Sequence, residues 1–448
     1  MAQAVQEVPG GAVPRASLGD TLTLAFRRHP ALLLRFAQTY GDRVYLRAPG
    51  FSIFFLFHPD DVRQVLVVQG NKFCKGMGVY MLSRLLGQGL LTSEGEYHKR
   101  QRLLIQPAFH RQRIASYATT MVDLAHQHAA SWRDGAEVDM VSEMMAITFR
   151  VAGKTLFGED VSADTATMRE GMAASMQAFE QVGTSPWALQ LERLPLPVMR
   201  RFFRAREKIN AIVYRMIEEH RRSGDQGDIL SMLLQVRDEN GRGLNSEQVR
   251  DEVLTLLAAG HETTANALGW TWYLLAQHPE VRIKMQRLVD EVVGERLPTF
   301  EDLPRLAYVE QVLAESMRLY PPVWAFDRQA ISDVRIGDLT IPGGTRVVVS
   351  QYVTHRDPRY YPDPERFDPE RWTPEVRVER PKFAYFPFGG GSRLCIGESF
   401  AWTEGVLILA TLARQWEASL VSPRPIEIEA AVTMRPRYGL RMILHARK

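Results

Sequence analysis

Cysteine is nearly absent from this chain: Cys74 and Cys395 are the two found in 448 residues. So sparse a pair makes no disulfide framework, which points to a reducing compartment and hence to the cytoplasm. It makes no zinc site either, because zinc takes several Cys or His ligands at short spacing. Charge of one sign is also lacking. Lys and Arg number 55 against 52 Asp and Glu, and the resulting +3 names no partner and gives no ground to expect nucleic acid. The N-terminal region has no apolar run fit to span a bilayer: Leu22 to Phe36 is its more apolar part, and Arg27, Arg28 and His29 interrupt it. There is no internal repeat, no low-complexity tract, no dinucleotide fingerprint and no C-x4-C-x2-C iron–sulfur spacing. His355-Arg356-Asp357 begins like a kinase catalytic loop, yet Pro362 stands where that loop needs its Asn. Apolar residues at 45% and charged residues at 24% are ordinary for a soluble globular protein, and the length allows two or three domains or one large one.

The chemistry that is present gathers in Phe386-Pro387-Phe388-Gly389-Gly390-Gly391-Ser392-Arg393-Leu394-Cys395-Ile396-Gly397, which leads into an apolar helix from Phe400 to Leu412. A thiolate there would be a strong fifth ligand for haem iron, donating charge that favours O–O cleavage. The glycines let the main chain bend tightly, turn amides toward the sulfur and lie flat against a macrocycle. A buried core cysteine needs no such surroundings. A cysteine nucleophile would want a histidine partner, and nothing in the sequence brings His355 close.

A second concentration lies inside the longest expected helix. Asn245 with Gln248 makes a capping-box start, and apolar periodicity runs from Val249 to Leu275 before His278-Pro279 ends it. Such a helix spans about 48 Å. Near its middle stands Ala259-Gly260-His261-Glu262-Thr263-Thr264, an acid and hydroxyls where apolar residues should continue. Threonine bonding back to the helix carbonyls would bend or open a turn there. Elsewhere, Arg43 to Phe57 reads as two strands about Pro49-Gly50, followed by a helix from His58-Pro59. Phe73 to Leu91 reads as a long loop, and Glu96 to Phe109 as a basic helix with His98 and Arg102 on one face. Glu315 and Arg318 share a helix closed by Pro321-Pro322, short strands fill Asp333 to Val349, and the last thirty or so residues alternate as strands.

The cysteine stretch resembles the haem-binding loop of cytochromes P450, which Phe388, Gly389, Gly391, Arg393, Cys395 and Gly397 match without a gap. The mid-helix stretch is similar to the oxygen-activation motif of that family, and Glu315-x-x-Arg318 to its structural Glu-x-x-Arg pair. These motifs occur in the family's order over most of the chain, from about residue 96 onward. The resemblance implies a mainly α (α+β) fold, a triangular helical domain with small β-sheets, and a single haem domain over residues 1–448. It implies haem b (iron protoporphyrin IX) on Cys395, with propionate partners at His98, Arg102, Arg328 and Arg393, and with Ala259 and Gly260 over the ring. Glu262 would relay protons beside Thr263. Glu315 and Arg318 would form a buried triad with Arg371, or with Arg366 from a near-copy of the same tetrapeptide.

The matching family loops put Tyr80, Met81, Leu85 and Leu86 over the substrate, and Phe179, Trp187, Ala259, Val323, Phe326 and Val432 complete an apolar lining. The implied activity is mono-oxygenation of an apolar fatty acid, terpenoid or steroid with O2. Electrons would come from NAD(P)H through a reductase and a ferredoxin or flavodoxin on a basic proximal face where Lys99, Arg100, Arg111 and Arg113 point outward. A soluble monomer without a membrane anchor is expected. An isomerase or dehydratase on the same haem, or a haem-binding sensor, would need neither Glu262 nor Thr263.

Overall fold

The computed structural model describes residues 7–8, 11–17, 19–20, 29–48, 51–158, 162–178, 181–182, 194 and 196–447. A helical bulk and a sheet-rich edge enclose one interior space. The helices used below are α1 (Pro30–Tyr40), α2 (Met77–Leu86), α3 (Gly95–Ile105), α4 (Arg111–Ala129), α5 (Met140–Phe157), α6 (Ser162–Ala178), α7 (Pro197–Ser223), α8 (Ser246–Gln277), α9 (Ala307–Leu319) and α10 (Glu398–Gln415). The strands are β1 (Arg43–Ala48), β2 (Phe51–Leu56), β3 (Phe73–Lys75), β4 (Phe326–Ala330), β5 (Arg346–Val349), β6 (Ile428–Ala430) and β7 (Met434–Pro436).

Helix α8 is the axis of the molecule, and its 32 residues start as the sequence predicts. Asn245 accepts the Gln248 amide at 2.9 Å while the Gln248 side chain accepts the Asn245 amide at 3.0 Å. Most of α8 is buried, flanked by α5, α9 and α10, and Trp270 stacks on Tyr320 with ring centroids 4.1 Å apart. A helix buried all round needs an apolar surface on every side. The polar cluster at its centre is therefore an exception to be explained by the site.

The main sheet runs in the order β1-β2-β5-β4-β3. β1 and β2 form the expected hairpin, β2 and β5 pair in parallel, and β4 pairs antiparallel with both β5 and β3. One register matters for the site: Lys75 of β3 lies directly opposite Arg328 of β4. The stretch 73–91 is not the long loop that its glycines predict. It folds as β3 followed by α2, whose Leu85 and Leu86 are buried in the helical core. A separate hairpin, β6 with β7, carries residues 431–433 at its tip. Among the described residues no helix is long and apolar enough to cross a membrane, and no three His, Cys, Asp or Glu side chains gather as a metal cluster.

Candidate active site

The loop before α10 is held by its backbone. His355 Nε2 accepts the Phe386 amide at 3.0 Å, the Gly389 amide donates to the Phe386 carbonyl at 3.0 Å, and the Cys395 amide donates to the Phe388 carbonyl at 3.0 Å. Gly391 sits at φ +68°, and a Cβ there would come within 2.0 Å of the Leu66 carbonyl oxygen, so only glycine fits this turn. The result presents the Cys395 sulfur to a cavity of about 1530 Å³. Burial pushes the Cys395 thiol up, while the Gly397 amide and the Arg102 charge act to lower it. Arg102 also clamps the loop from α3, donating to the Leu394 carbonyl at 2.7 Å.

Across the cavity stands α8, with Ala259, Gly260 and Thr263 in its wall. A Cβ built on Gly260 meets nothing within 4 Å, so this helix face borders open space. Thr263 donates its hydroxyl to the Ala259 carbonyl at 2.7 Å, and Thr264 to the Gly260 carbonyl at 3.2 Å. The back-bonding foreseen from sequence is present, but the helix stays unbroken from Ser246 to Gln277. Glu262, nearly buried, is bound by the Thr433 hydroxyl and lies 3.7 Å from Arg435 Nη1.

A band of cations lines the same cavity: Lys75, Arg102, Arg328 and Arg393, with His98. Burial, then the neighbouring Arg393 charge, lowers the Lys75 ammonium to about 7 and His98 to about 3. Burial likewise lowers Arg102 and Arg328. Like charges facing each other across two strands repel, and Lys75 opposite Arg328 does so with the nearby acids already engaged. Glu94 is bound by Arg393, Asp327 by Arg346 at 2.5 Å, and Glu252 accepts the Leu90 amide at 2.9 Å. The band thus suits a ligand bringing its own carboxylates. A flat group with two acid arms, lying between the Cys395 sulfur and the Gly260 face, fits both features.

A family model described as cytochrome P450 matches residues 9–442. The chain belongs to the cytochrome P450 family. It is 38% identical over 444 residues to cyclooctatin synthase of Streptomyces melanosporofaciens, covering 97% of this chain and 94% of that one. It is 41% identical over 400 residues to cyclooctat-9-en-7-ol 5-monooxygenase of the same organism, covering 88% and 86%. A solved structure of retinoic-acid-bound cyanobacterial CYP120A1 superposes with a TM-score of 0.84 at 29% identity, covering 95% of this chain and 96% of that one. The protein is a P450 mono-oxygenase, with haem as cofactor and O2 as co-substrate. Bound haem activates O2 so that one oxygen atom enters the substrate and the other leaves as water.

The structure brings most of the sequence-predicted P450 residues together and moves a few away. Leu85, Leu86, Ala259, Val323, Phe326 and Val432 all line the cavity. Tyr80 does not: it is 52% exposed on the outer face of α2, where Arg84 lies over its ring. The Met81 side chain, Phe179 and Trp187 lie outside the described residues. Arg393 is already tied to Glu94 and to the Ser93 carbonyl, at 3.0 Å, so any carboxylate arm would share it. Arg100 does not project freely either. Asp238 holds it at 2.8 Å, and the Arg242 and Gly243 carbonyls accept from it.

The P450 triad is settled by geometry. Arg318 grips Glu315 through two bonds of 2.8 and 2.9 Å, and Arg371 Nε lies 3.4 Å from Glu315. Arg366 contributes only its carbonyl, to Arg318. Sequence reasoning missed Lys75, because its segment reads as loop. It also missed Trp372, whose indole N–H donates to Glu315 at 2.9 Å.

Glu404 was missed as well. It is buried on α10 and hydrogen-bonds the Thr264 side chain, and burial pushes its carboxyl up to about 8. The Thr264 bond favours the ionised carboxyl, but burial outweighs it. The folded state therefore holds the Glu404 proton more tightly than the unfolded chain does. Its contribution is complete below the ordinary value of 4.5 and is lost as pH rises toward about 8. Against Glu404→Gln, the wild type is expected to lose up to about 4 kcal/mol between pH 5 and 8, at about 1.36 kcal/mol per unit. Thermal melts of both proteins across that range check this, and parallel profiles would refute it.

Proposed function

We propose that this P450 hydroxylates a carbocyclic terpenoid, with Cys395 as the residue that would hold its haem iron and with electrons supplied by a separate carrier. The cavity between Cys395 and Thr263 carries the reading. At about 1530 Å³ it exceeds the roughly 300–1,000 Å³ of an ordinary small-molecule site, leaving room for a substrate beside the haem. Its distal wall is apolar, built from Leu82, Leu85, Leu86, Ala258, Val323 and Val432. Such a wall selects bulk and shape and offers few groups to orient a free carboxylate. A relative named as a cyclooctat-9-en-7-ol 5-monooxygenase, and another as a pentalenene oxygenase, support the terpenoid class over fatty acids.

The residues divide the work. Cys395 would hold the metal, while Lys75, His98, Arg102, Arg328 and Arg393 would hold the carboxylate arms. Ala259 and Gly260, being small, would let the ring lie close to the helix and leave the open space beside Gly260 for substrate. Thr263 and Glu262 hold and pass protons on the distal side. The carrier would be a ferredoxin or flavodoxin reduced by an NAD(P)H-dependent reductase. It would dock where Lys99, Arg111 and Arg113 are exposed beside the α3 clamp on the cysteine loop.

The test is a panel of cyclic terpene hydrocarbons, their mono-alcohols, fatty acids and steroids. It is read by the low-to-high-spin absorbance shift, then by product with a ferredoxin, a reductase and NADPH. Terpenoids are expected to give both the shift and an O2-derived hydroxyl. A shift confined to fatty acids would overturn the substrate class, and turnover without O2 consumption would favour an isomerase or dehydratase.

A further inference from the structure

The carboxylate at the centre of α8 is held from outside its own helix. Thr433 sits at the tip of the β6–β7 hairpin and donates its hydroxyl proton to Glu262 Oε1. The Thr433 hydroxyl oxygen in turn accepts from Asn266 Nδ2 at 3.2 Å. A threonine hydroxyl has one proton, so with Asn266 donating, that proton is committed to Glu262. All three groups are buried, with Asn266 at 0%, Thr433 at 5% and Glu262 at 9% exposure. Arg435, on β7, lies 3.7 Å from the same Glu262 oxygen and is itself bonded to Glu429 Oε2 at 2.9 Å.

The hairpin that supplies Thr433 is docked firmly. Trp270 Nε1 of α8 donates to the Met434 carbonyl at 3.1 Å, the Met434 amide donates to the Pro322 carbonyl at 2.8 Å, and Trp324 Nε1 donates to the Ala431 carbonyl at 3.3 Å. Its tip residues Ala431, Val432 and Thr433 also form part of the cavity wall. One short segment thus meets the substrate space with one residue and the relay acid with the next.

From this geometry we infer that Thr433 is a positioning residue for Glu262, fixing the carboxylate that passes protons and making the β6–β7 hairpin part of proton delivery. The inference rests on the mono-oxygenase reading above. The reaction consumes two electrons from NAD(P)H, two protons, O2 and the substrate C–H bond, and yields an alcohol and water. Glu262 moves protons and Thr433 fixes where it stands. Without the Thr433 hydroxyl, Glu262 retains the longer Arg435 contact, and its carboxylate is no longer fixed by a hydrogen bond from the hairpin.

The experiment compares Thr433→Val, Thr433→Ser, Glu262→Gln and the Thr433→Val/Glu262→Gln double variant as haem-loaded proteins. Thr433→Val is expected to lower kcat about tenfold, the equivalent of one charge-assisted hydrogen bond. Substrate affinity, read by the spin shift, should stay within about twofold, serine should restore the rate, and valine should add nothing in the Glu262→Gln background. Backbone hydrogen exchange of residues 428–436 needs no substrate and should speed up in Thr433→Val and stay near wild type in Thr433→Ser. Additive rate losses, weakened substrate binding at unchanged kcat, or unchanged hairpin exchange in Thr433→Val would each overturn the inference. If the wild type itself oxidises no terpenoid, the substrate reading fails while the exchange measurement still decides the role of Thr433.

Discussion

Cys395→Ser is expected to keep its fold and lose its chemistry altogether. The loop that presents the sulfur is shaped by the Cys395 amide on the Phe388 carbonyl, by the Phe386 amide on His355 and by the Gly391 turn, and the sulfur itself adds only its contact with the Gly397 amide, which a serine oxygen can also accept. Serine is nearly the same size and preserves each of those bonds. A hydroxyl, unlike a thiolate, stays neutral at working pH and gives the metal little charge. The variant should therefore show native-like circular dichroism, no long-wavelength Soret band in the reduced CO complex, and product at background. A variant that kept the band and oxidised its substrate would remove Cys395 from the site.

Arg318→Ala is expected to be the most destabilising single change outside the cavity, at about 3–5 kcal/mol. Arg318 and Glu315 are both 0% exposed. The guanidinium donates to both Glu315 oxygens and to the carbonyls of His355, Pro364 and Arg366, between 2.7 and 3.1 Å. Alanine would leave a buried carboxylate facing Arg371 at 3.4 Å and strand those carbonyls. Replacing both charges with apolar residues often rescues a buried pair. Here it should not, because the Asp368 amide and the Trp372 indole also depend on Glu315. Urea unfolding of Arg318→Ala and of Glu315→Gln/Arg318→Met checks this. A double variant within about 1 kcal/mol of wild type would show that the pair is dispensable.

What the sequence makes legible is local. The capping box at Asn245 and Gln248, the hairpin about Pro49-Gly50 and the glycine turn before Cys395 each need only neighbours a few residues away. Helix α2 was hidden because Gly76, Gly78, Gly87 and Gly89 surround its apolar positions and mimic a loop. The choice between Arg366 and Arg371 depends on a chain reversal that no tetrapeptide encodes. Tyr80 falls outside the cavity because, at 3.6 residues per turn, α2 puts it on the side away from Leu82, Leu85 and Leu86. The Thr433–Glu262 bond joins residues 171 positions apart, and neither residue's own surroundings announce the other.

Lys75 and Arg328 face one another across β3 and β4, and the acids beside them, Glu94 and Asp327, are each shared with a further arginine, Arg393 and Arg346. On the assignment proposed above, that opposition would make the prosthetic group a structural counter-ion as well as a reagent. Chain assembly and cofactor capture become linked equilibria, and simple polyvalent anions should partly substitute for the macrocycle in steadying the freshly made polypeptide before it is loaded.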